Sequence, residues 1–265
     1  MSPVRKWGAG PYPVVVVHGG PGAPGEMAAV ARELSAVKGI LEPLQTETTL
    51  DGQIRELRSV LERDGRVPVT LVGFSWGAFL SWMVAARYPA LVGKLILVGS
   101  PPFEEQDARS ITKTRFDRLL PEDRREAQAI MRELEPDTPE TGGKSRDKNA
   151  LLTRLGNLLS RADTFDSLTV DDTSFFCQYD VFKGVWDEAC ELRHKKALLF
   201  MARQITCPVI AIHGDYDPHP AGGVEIPLER ELKNFRFILL QKCGHRPWIE
   251  RGAAEEFYRI LVQEI

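Results

Sequence analysis

The stretch Gly73-Phe74-Ser75-Trp76-Gly77-Ala78 constrains this chain more than any other. Apolar residues run into it (Val69, Leu71, Val72), and a helix-like run from Ala78 to Arg87 leaves it. The pattern predicts a strand, a sharp turn and a helix, with Ser75 at the turn. A serine held there has a strained backbone and a hydroxyl pushed clear of the sheet, and the flanking Gly73, Gly77 and Ala78 leave room where strand and helix cross. A helix that starts directly after Ser75 aims its free N–H groups and positive dipole end at any negative charge forming on the turn. Taken alone, the Gly-x-Ser-x-Gly spacing also fits a small-residue connection without chemistry, so its meaning rests on the remaining chain.

The remaining chain alternates strands with helices. Val14 to Val17 is apolar at every position, which suits a parallel strand covered on both faces, and it stops at His18-Gly19-Gly20-Pro21-Gly22. Helices are expected over Glu26 to Val37 and from an Asp51 cap to about Asp64, with a short strand over Gly39 to Leu44 between them. Further strands are expected over Lys94 to Gly99, Pro208 to His213 and Phe235 to Leu240, with helices over Ile226 to Leu232 and Ala253 to Ile265. Such alternation predicts an α/β fold with a mostly parallel sheet and helices on both faces. It breaks off between about Pro101 and Gln204, where helical patterns run over Pro121 to Leu134, Asn149 to Leu159 and Trp186 to Met201. The expected organisation is therefore a core domain of residues 1–102 and 205–265, with residues 103–204 forming a helical cap insertion. An exposed turn is expected at Gly142-Gly143-Lys144-Ser145.

A net charge of −3 gives no electrostatic reason to expect nucleic acid or an anionic membrane surface as partner. The N-terminus lacks an apolar leader and no stretch reaches spanning length. The four cysteines (Cys177, Cys190, Cys207, Cys243) form no CxxC pair and no zinc spacing, and read as free thiols in a reducing cytoplasm.

Acyl transfer by a serine needs a base, a group that orients the base, and donors for the oxyanion. His245, in Cys243-Gly244-His245-Arg246 just past the last strand, falls on the strand-end edge where Ser75 also lies. His213 and His219 are rival bases, but neither follows the last strand. The acid should follow the preceding strand, where Asp215 and Asp217 are both available. The expected oxyanion donors are the N–H of Trp76 and that of Gly20, since Pro21 has none to give. A competing reading takes Gly20-Pro21-Gly22-Ala23-Pro24-Gly25, with Glu42 at the end of the next strand, as a dinucleotide fingerprint. Pro21 and Pro24 weigh against it, because they remove N–H groups from the loop that would cradle a pyrophosphate.

Four motifs together resemble the α/β-hydrolase superfamily: His18-Gly19-Gly20-Pro21-Gly22, Gly73-Phe74-Ser75-Trp76-Gly77, Gly214-Asp215-Tyr216-Asp217 and Gly244-His245. The resemblance covers both ends of the chain and implies a Ser75 nucleophile, a His245 base and, three residues after the glycine of its turn, an Asp217 acid, with no cofactor. It also implies that the superfamily's N-terminal edge strands are reduced here, since little chain precedes Val14. A serine at the turn separates the chain from the dehalogenase and epoxide-hydrolase branches, which use an aspartate there. The glycine loop and the tryptophan after the serine are most similar to the proline iminopeptidase branch. That branch carries an Asp-Gln-Arg-Gly type segment where this chain has Glu42-Pro43-Leu44-Gln45. For an aminopeptidase of that kind, Glu104, Glu105, Glu188 and Glu191 are candidates to hold a substrate amino group.

The expected function is a cytoplasmic serine hydrolase cleaving an ester or amide bond of a small molecule. The alternatives are a proline iminopeptidase-like aminopeptidase, an acyltransferase, and a non-catalytic ligand receptor on the same fold. The aromatic residues Phe175, Phe176, Tyr179, Phe182 and Trp186 are candidates to line a substrate pocket, or else to pack the insertion onto the sheet.

Overall fold

A computed structural model describes residues 3–135, 147–168 and 176–265. Seven strands form one sheet: β1 (Val4–Trp7), β2 (Val14–Val17), β3 (Ile40–Pro43), β4 (Val69–Phe74), β5 (Val92–Val98), β6 (Val209–Gly214) and β7 (Phe235–Leu240). Their order is β1-β3-β2-β4-β5-β6-β7. All neighbours pair in parallel except β1, which runs antiparallel to β3. The N-terminal edge is thus a single strand of four residues.

Side-chain alternation sorts the core into two layers. On one face Val14, Val16, Val72, Ile96, Ile210 and Ile212 pack against α1 (Ala28–Leu34) and, once the chain has returned, the C-terminal helix Ala254–Glu264. Phe257, Ile260 and Leu261 supply that helix's buried stripe, each contributing about 1.5–3 kcal/mol by leaving water. On the other face Val15, Val17, Leu71, Leu95 and Leu97 meet α2 (Leu50–Asp64), α3 (Trp76–Arg87) and the helix Gly222–Glu231. The cap of α2 is Thr49 rather than Asp51: the Thr49 hydroxyl accepts from the Gly52 N–H at 3.1 Å. Asp51 sits in the first turn, where it suits the helix dipole and pairs with Arg55 and Arg87.

From β2 the chain goes outward to β3 through α1, then crosses back through α2 to β4 on the other side. Strand order therefore reverses between β2 and β4, and the ends of these two strands open the crevice where ligands bind in open parallel sheets.

Between β5 and β6 come α4 (Glu105–Ala108), α5 (Ile111–Arg118), α6 (Pro121–Leu134), α7 (Lys148–Ala162), α8 (Tyr179–His194) and α9 (Ala197–Phe200). α6 and α7 enclose a small core of their own, built on Leu119, Ala127, Ile130, Leu158 and Ala162. Val185 and Ala189 of α8 and Leu198 of α9 instead join the sheet-facing cluster, as does Phe103. Within the stretch 103–204, α6 and α7 are thus a separate layer, while its two ends belong to the main core. The expected Gly142 to Ser145 turn lies outside the described residues. Among the described residues no helix is long and apolar enough to cross a membrane.

Candidate active site

Ser75 stands between β4 and α3 with φ 50° and ψ −117°, a conformation that costs a non-glycine residue about 1–3 kcal/mol. The surrounding backbone fixes it. The Ser75 N–H donates to the Val98 carbonyl of β5 at 2.9 Å. A Cβ on Gly73 would lie 2.3 Å from the Gly77 carbonyl oxygen, and one on Gly77 would lie 2.3 Å from that of Val17. The two glycines of the motif are there because β2, β4 and α3 cross too closely for any side chain. Phe74 turns to the opposite side of β4, where its ring packs on His245 (centroids 4.8 Å apart) and Trp248 (4.7 Å).

The structure brings Ser75, His245 and Asp217 together. The Ser75 hydroxyl lies 3.1 Å from His245 Nε2, and His245 Nδ1 lies 2.7 Å from Asp217 Oδ2. His245 is placed by the loop after β7: its own N–H donates to the Asp163 carbonyl, and the neighbouring Gly244 N–H donates to Glu250, which also accepts from Phe165 and Asp166. The choice left open between the two aspartates is resolved by position. Asp215 accepts from the Cys243 N–H at 3.0 Å and so shapes this loop, whereas Asp217 reaches the imidazole.

Asp217 is surrounded by histidines. Its Oδ1 accepts from the His219 N–H at 2.9 Å and from His219 Nδ1 at 2.8 Å. His213 Nε2 donates to the His219 carbonyl at 2.8 Å and lies 3.5 Å from Asp217 Oδ2. Burial alone would raise the Asp217 pKa. The facing His245, His219 and His213 outweigh it and hold the carboxyl well below its usual range, so it is ionised near neutral pH. Asp217, His219 and His245 bring ligating atoms within 4.8 Å of one another. Both carboxylate oxygens are already engaged by imidazole N–H groups, which a cation would have to displace.

Of the two expected oxyanion donors, Trp76 directly follows Ser75 and Gly20 belongs to the glycine loop after β2. Trp76 is the first residue of α3, so its N–H has no carbonyl within the helix to bond. Its indole N–H donates to buried Gln53 at 3.0 Å and anchors the helix start. Gly20, at φ 99°, lines the same cavity as Ser75. His18 braces this loop: Nδ1 donates to the Gly19 carbonyl at 2.7 Å and Nε2 accepts from the Gln45 N–H at 3.3 Å. Those two bonds need the neutral ring, and burial lowers its pKa from 6.5 to about 4. The folded state then binds fewer protons than the unfolded state below pH 6.5, so stability falls as pH drops through the window from 6.5 to 4. The expected loss from His18 is about 2 kcal/mol at pH 5. Urea unfolding at pH 7.5 and pH 5 checks this: His18→Gln should weaken the pH dependence, and an unchanged dependence would contradict it.

Glu42, the acid of the fingerprint reading, is buried beneath the edge strand, where the Trp7 indole N–H donates to it at 3.0 Å and Arg5 approaches to 3.6 Å.

A cavity of about 340 Å³ opens over Ser75 and His245. Met131, Leu152, Leu155 and Leu159 give it an apolar roof from α6 and α7. Phe182 and Trp186, stacked at 5.9 Å, form one wall. Of the other described aromatic candidates, neither lines the cavity. Phe176 faces solvent, Tyr179 is buried with its hydroxyl on the Leu134 carbonyl, and Phe175 lies outside the described residues. Glu104, Glu105 and Glu191 pair with Lys196, Arg193 and Lys195, and neither they nor Glu188 line the cavity.

The charged lining was missed from sequence: Glu26, Arg115, Asp163 and Arg246. Arg115 and Asp163 neutralise each other through paired bonds of 2.7 and 2.6 Å. Burial raises the Glu26 pKa, opposed by Arg246 and His245. Adjacency was the available signal, since Arg246 follows His245 and Glu26 closes the glycine loop. Cys177 also lines the cavity, but burial pushes its thiol up to about 11, so it is no rival nucleophile near neutral pH.

The family model described as alpha/beta hydrolase fold matches residues 40–251. A segment of 57 residues is 32% identical to epoxide hydrolase 4 of Mus musculus, covering 22% of this chain and 16% of that protein. The Homo sapiens counterpart matches at 35% over 52 residues, 20% of this chain and 14% of its own length. The aligned segment is thus under a fifth of these relatives. Among solved structures, the proline iminopeptidase of Mycobacterium smegmatis superposes with a TM-score of 0.61 at 17% identity, covering 98% of this chain and 93% of that one. The monoacylglycerol lipase of Paleococcus ferrophilus gives 0.60 at 18% identity, covering 100% and 98%. At that identity the likeness is one of fold. The family match, spanning most of the sheet and the whole inserted stretch, establishes that this chain belongs to the alpha/beta hydrolase fold family.

Proposed function

We propose that the protein is a serine hydrolase that cleaves an ester or amide bond of a small molecule. One observation carries this reading: the continuous relay from Ser75 through His245 (3.1 Å) to a buried, ionised Asp217 (2.7 Å) at the wall of a cavity. His245 Nε2 takes the Ser75 proton as Oγ attacks the substrate carbonyl. The N–H groups of Trp76 and Gly20 stabilise the oxyanion, and His245 then gives its proton to the leaving oxygen or nitrogen. Water, activated by the same imidazole, attacks the acyl-enzyme and releases the acid and free Ser75. Asp217 keeps the His245 proton on Nδ1 and stabilises the imidazolium that forms. Within residues 103–204, α6 and α7 act as the cap and close the cavity from above, while Phe182 and Trp186 of α8 shape its wall.

A cavity of this size with an apolar roof suits a compact acyl or leaving group. A second reading, aminopeptidase action, is favoured by Glu26, whose carboxyl lies in the cavity wall where a substrate ammonium would meet it. Steady-state hydrolysis of short-chain p-nitrophenyl esters, acylated anilides and free aminoacyl anilides separates the readings. Ester turnover with pre-steady-state burst release supports the first. A preference for free over blocked aminoacyl anilides, lost in Glu26→Gln, supports the second. Added alcohol or amine acceptors, scored by product, distinguish hydrolysis from acyl transfer.

A further inference from the structure

Asp217 orients two imidazoles, and the proposed mechanism uses only one. The His219 ring is fixed as firmly as that of His245. Nδ1 and the backbone N–H of His219 both bond Asp217 Oδ1, at 2.8 and 2.9 Å, and its carbonyl accepts from His213 at 2.8 Å. Donation from Nδ1 sets the tautomer, so Nε2 carries a lone pair and no proton. Burial, only partly offset by Asp217, lowers the His219 pKa to about 4, so the lone pair is retained at neutral pH. Among the described residues Nε2 has no hydrogen-bond partner, and His219 lines the cavity with Ser75 and His245. The two rings lie side by side, centroids 4.5 Å apart.

We propose that His219 is a specificity-determining residue for the leaving group: its Nε2 accepts a hydrogen bond from a hydroxyl or N–H on the second carbon from the scissile oxygen or nitrogen. The preferred substrates are then esters or amides of polyols or amino alcohols. The inference rests on the serine-hydrolase reading. His245 Nε2 must protonate the leaving atom, so that atom lies against the His245 ring. Groups on the second carbon beyond it come to the rings flanking His245, Phe74 and His219, of which only His219 offers a hydrogen-bond acceptor. A substrate donor there would satisfy a fixed acceptor of the cavity lining that a purely alkyl leaving group would leave unpaired.

The test compares 2-hydroxyethyl and 2-methoxyethyl esters of one short acid. Wild-type enzyme should favour the hydroxyethyl ester in kcat/KM by about five- to tenfold. His219→Asn keeps an amide N–H in the place of Nδ1 and removes Nε2. It should bring the ratio to near one, whatever loss the two esters share through Asp217. A wild-type ratio near one, or a ratio unchanged in His219→Asn, overturns the proposal and leaves His219 as a positioning residue only. A second measurement needs no variant. The acyl-enzyme should partition to ethylene glycol in preference to 2-methoxyethanol, since an acceptor enters where a leaving group departs. Equal partition overturns the proposal as well. Failure of the underlying reading looks different: neither ester would be turned over and no acyl-enzyme would form.

Discussion

Ser75→Ala is expected to lower ester turnover by about ten-thousandfold to a millionfold with little change in thermal stability. Alanine removes the only atom that attacks in the proposed mechanism. It keeps a Cβ in the same unusual backbone conformation, φ 50°, so the strain at the turn is retained rather than relieved. The lost contact is one hydroxyl bond to His245 Nε2, which faces the cavity and can be replaced by water. The fold is held elsewhere, by the Ser75 N–H on Val98 and by the close crossing at Gly73 and Gly77. Turnover and a thermal melt on the same preparation check both halves. A variant within tenfold of wild-type turnover would place the chemistry on another group.

Asp217→Asn should cost about a thousandfold to ten-thousandfold in kcat, for a reason specific to this cluster. Oδ1 of Asp217 receives two donors, the N–H and Nδ1 of His219, whereas Oδ2 receives one bond, from His245 Nδ1. An asparagine therefore keeps its carbonyl oxygen toward His219 and turns its NH2 toward His245. Two donors cannot face each other, so His245 must move its proton to Nε2, where it can no longer accept the proton of Ser75. The charge that would stabilise the imidazolium is lost as well. Nitrogen NMR of the His245 ring should show the tautomer exchange alongside the loss of kcat. A variant with more than a tenth of wild-type turnover, or an unchanged tautomer, would contradict the assigned role of Asp217.

The residues that carry these predictions were unequally legible in the sequence. Ser75 could be read because local sterics write it: a strand, a helix and small residues where they cross. His245 could be read because chain order places it after the last strand, on the edge Ser75 shares. Asp217 could not be separated from Asp215 by spacing alone, and needed either the family resemblance or the loop geometry that sends Asp215 to Cys243. Strand β1 escaped notice because Val4-Arg5-Lys6-Trp7 is short and half polar. It is held by pairing with β3 and by Trp7 and Arg5 on Glu42, which are long-range events. The cavity wall was least legible. Which aromatics of α8 face inward depends on where that helix begins, and it begins at Tyr179, earlier than the pattern from Trp186 indicated. Glu26 and the Arg115–Asp163 pair meet the site only after the sheet and the inserted helices have packed together.

The most direct test of the central claim is covalent labelling of the wild-type protein with a fluorophosphonate, read by intact mass and peptide mapping, with Ser75→Ala and His245→Ala alongside. One adduct per chain is expected on Ser75, absent from the first variant and much slower in the second, because only a serine activated by His245 attacks phosphorus at a useful rate. A folded wild-type protein that takes no adduct, or takes it on another residue, would contradict it.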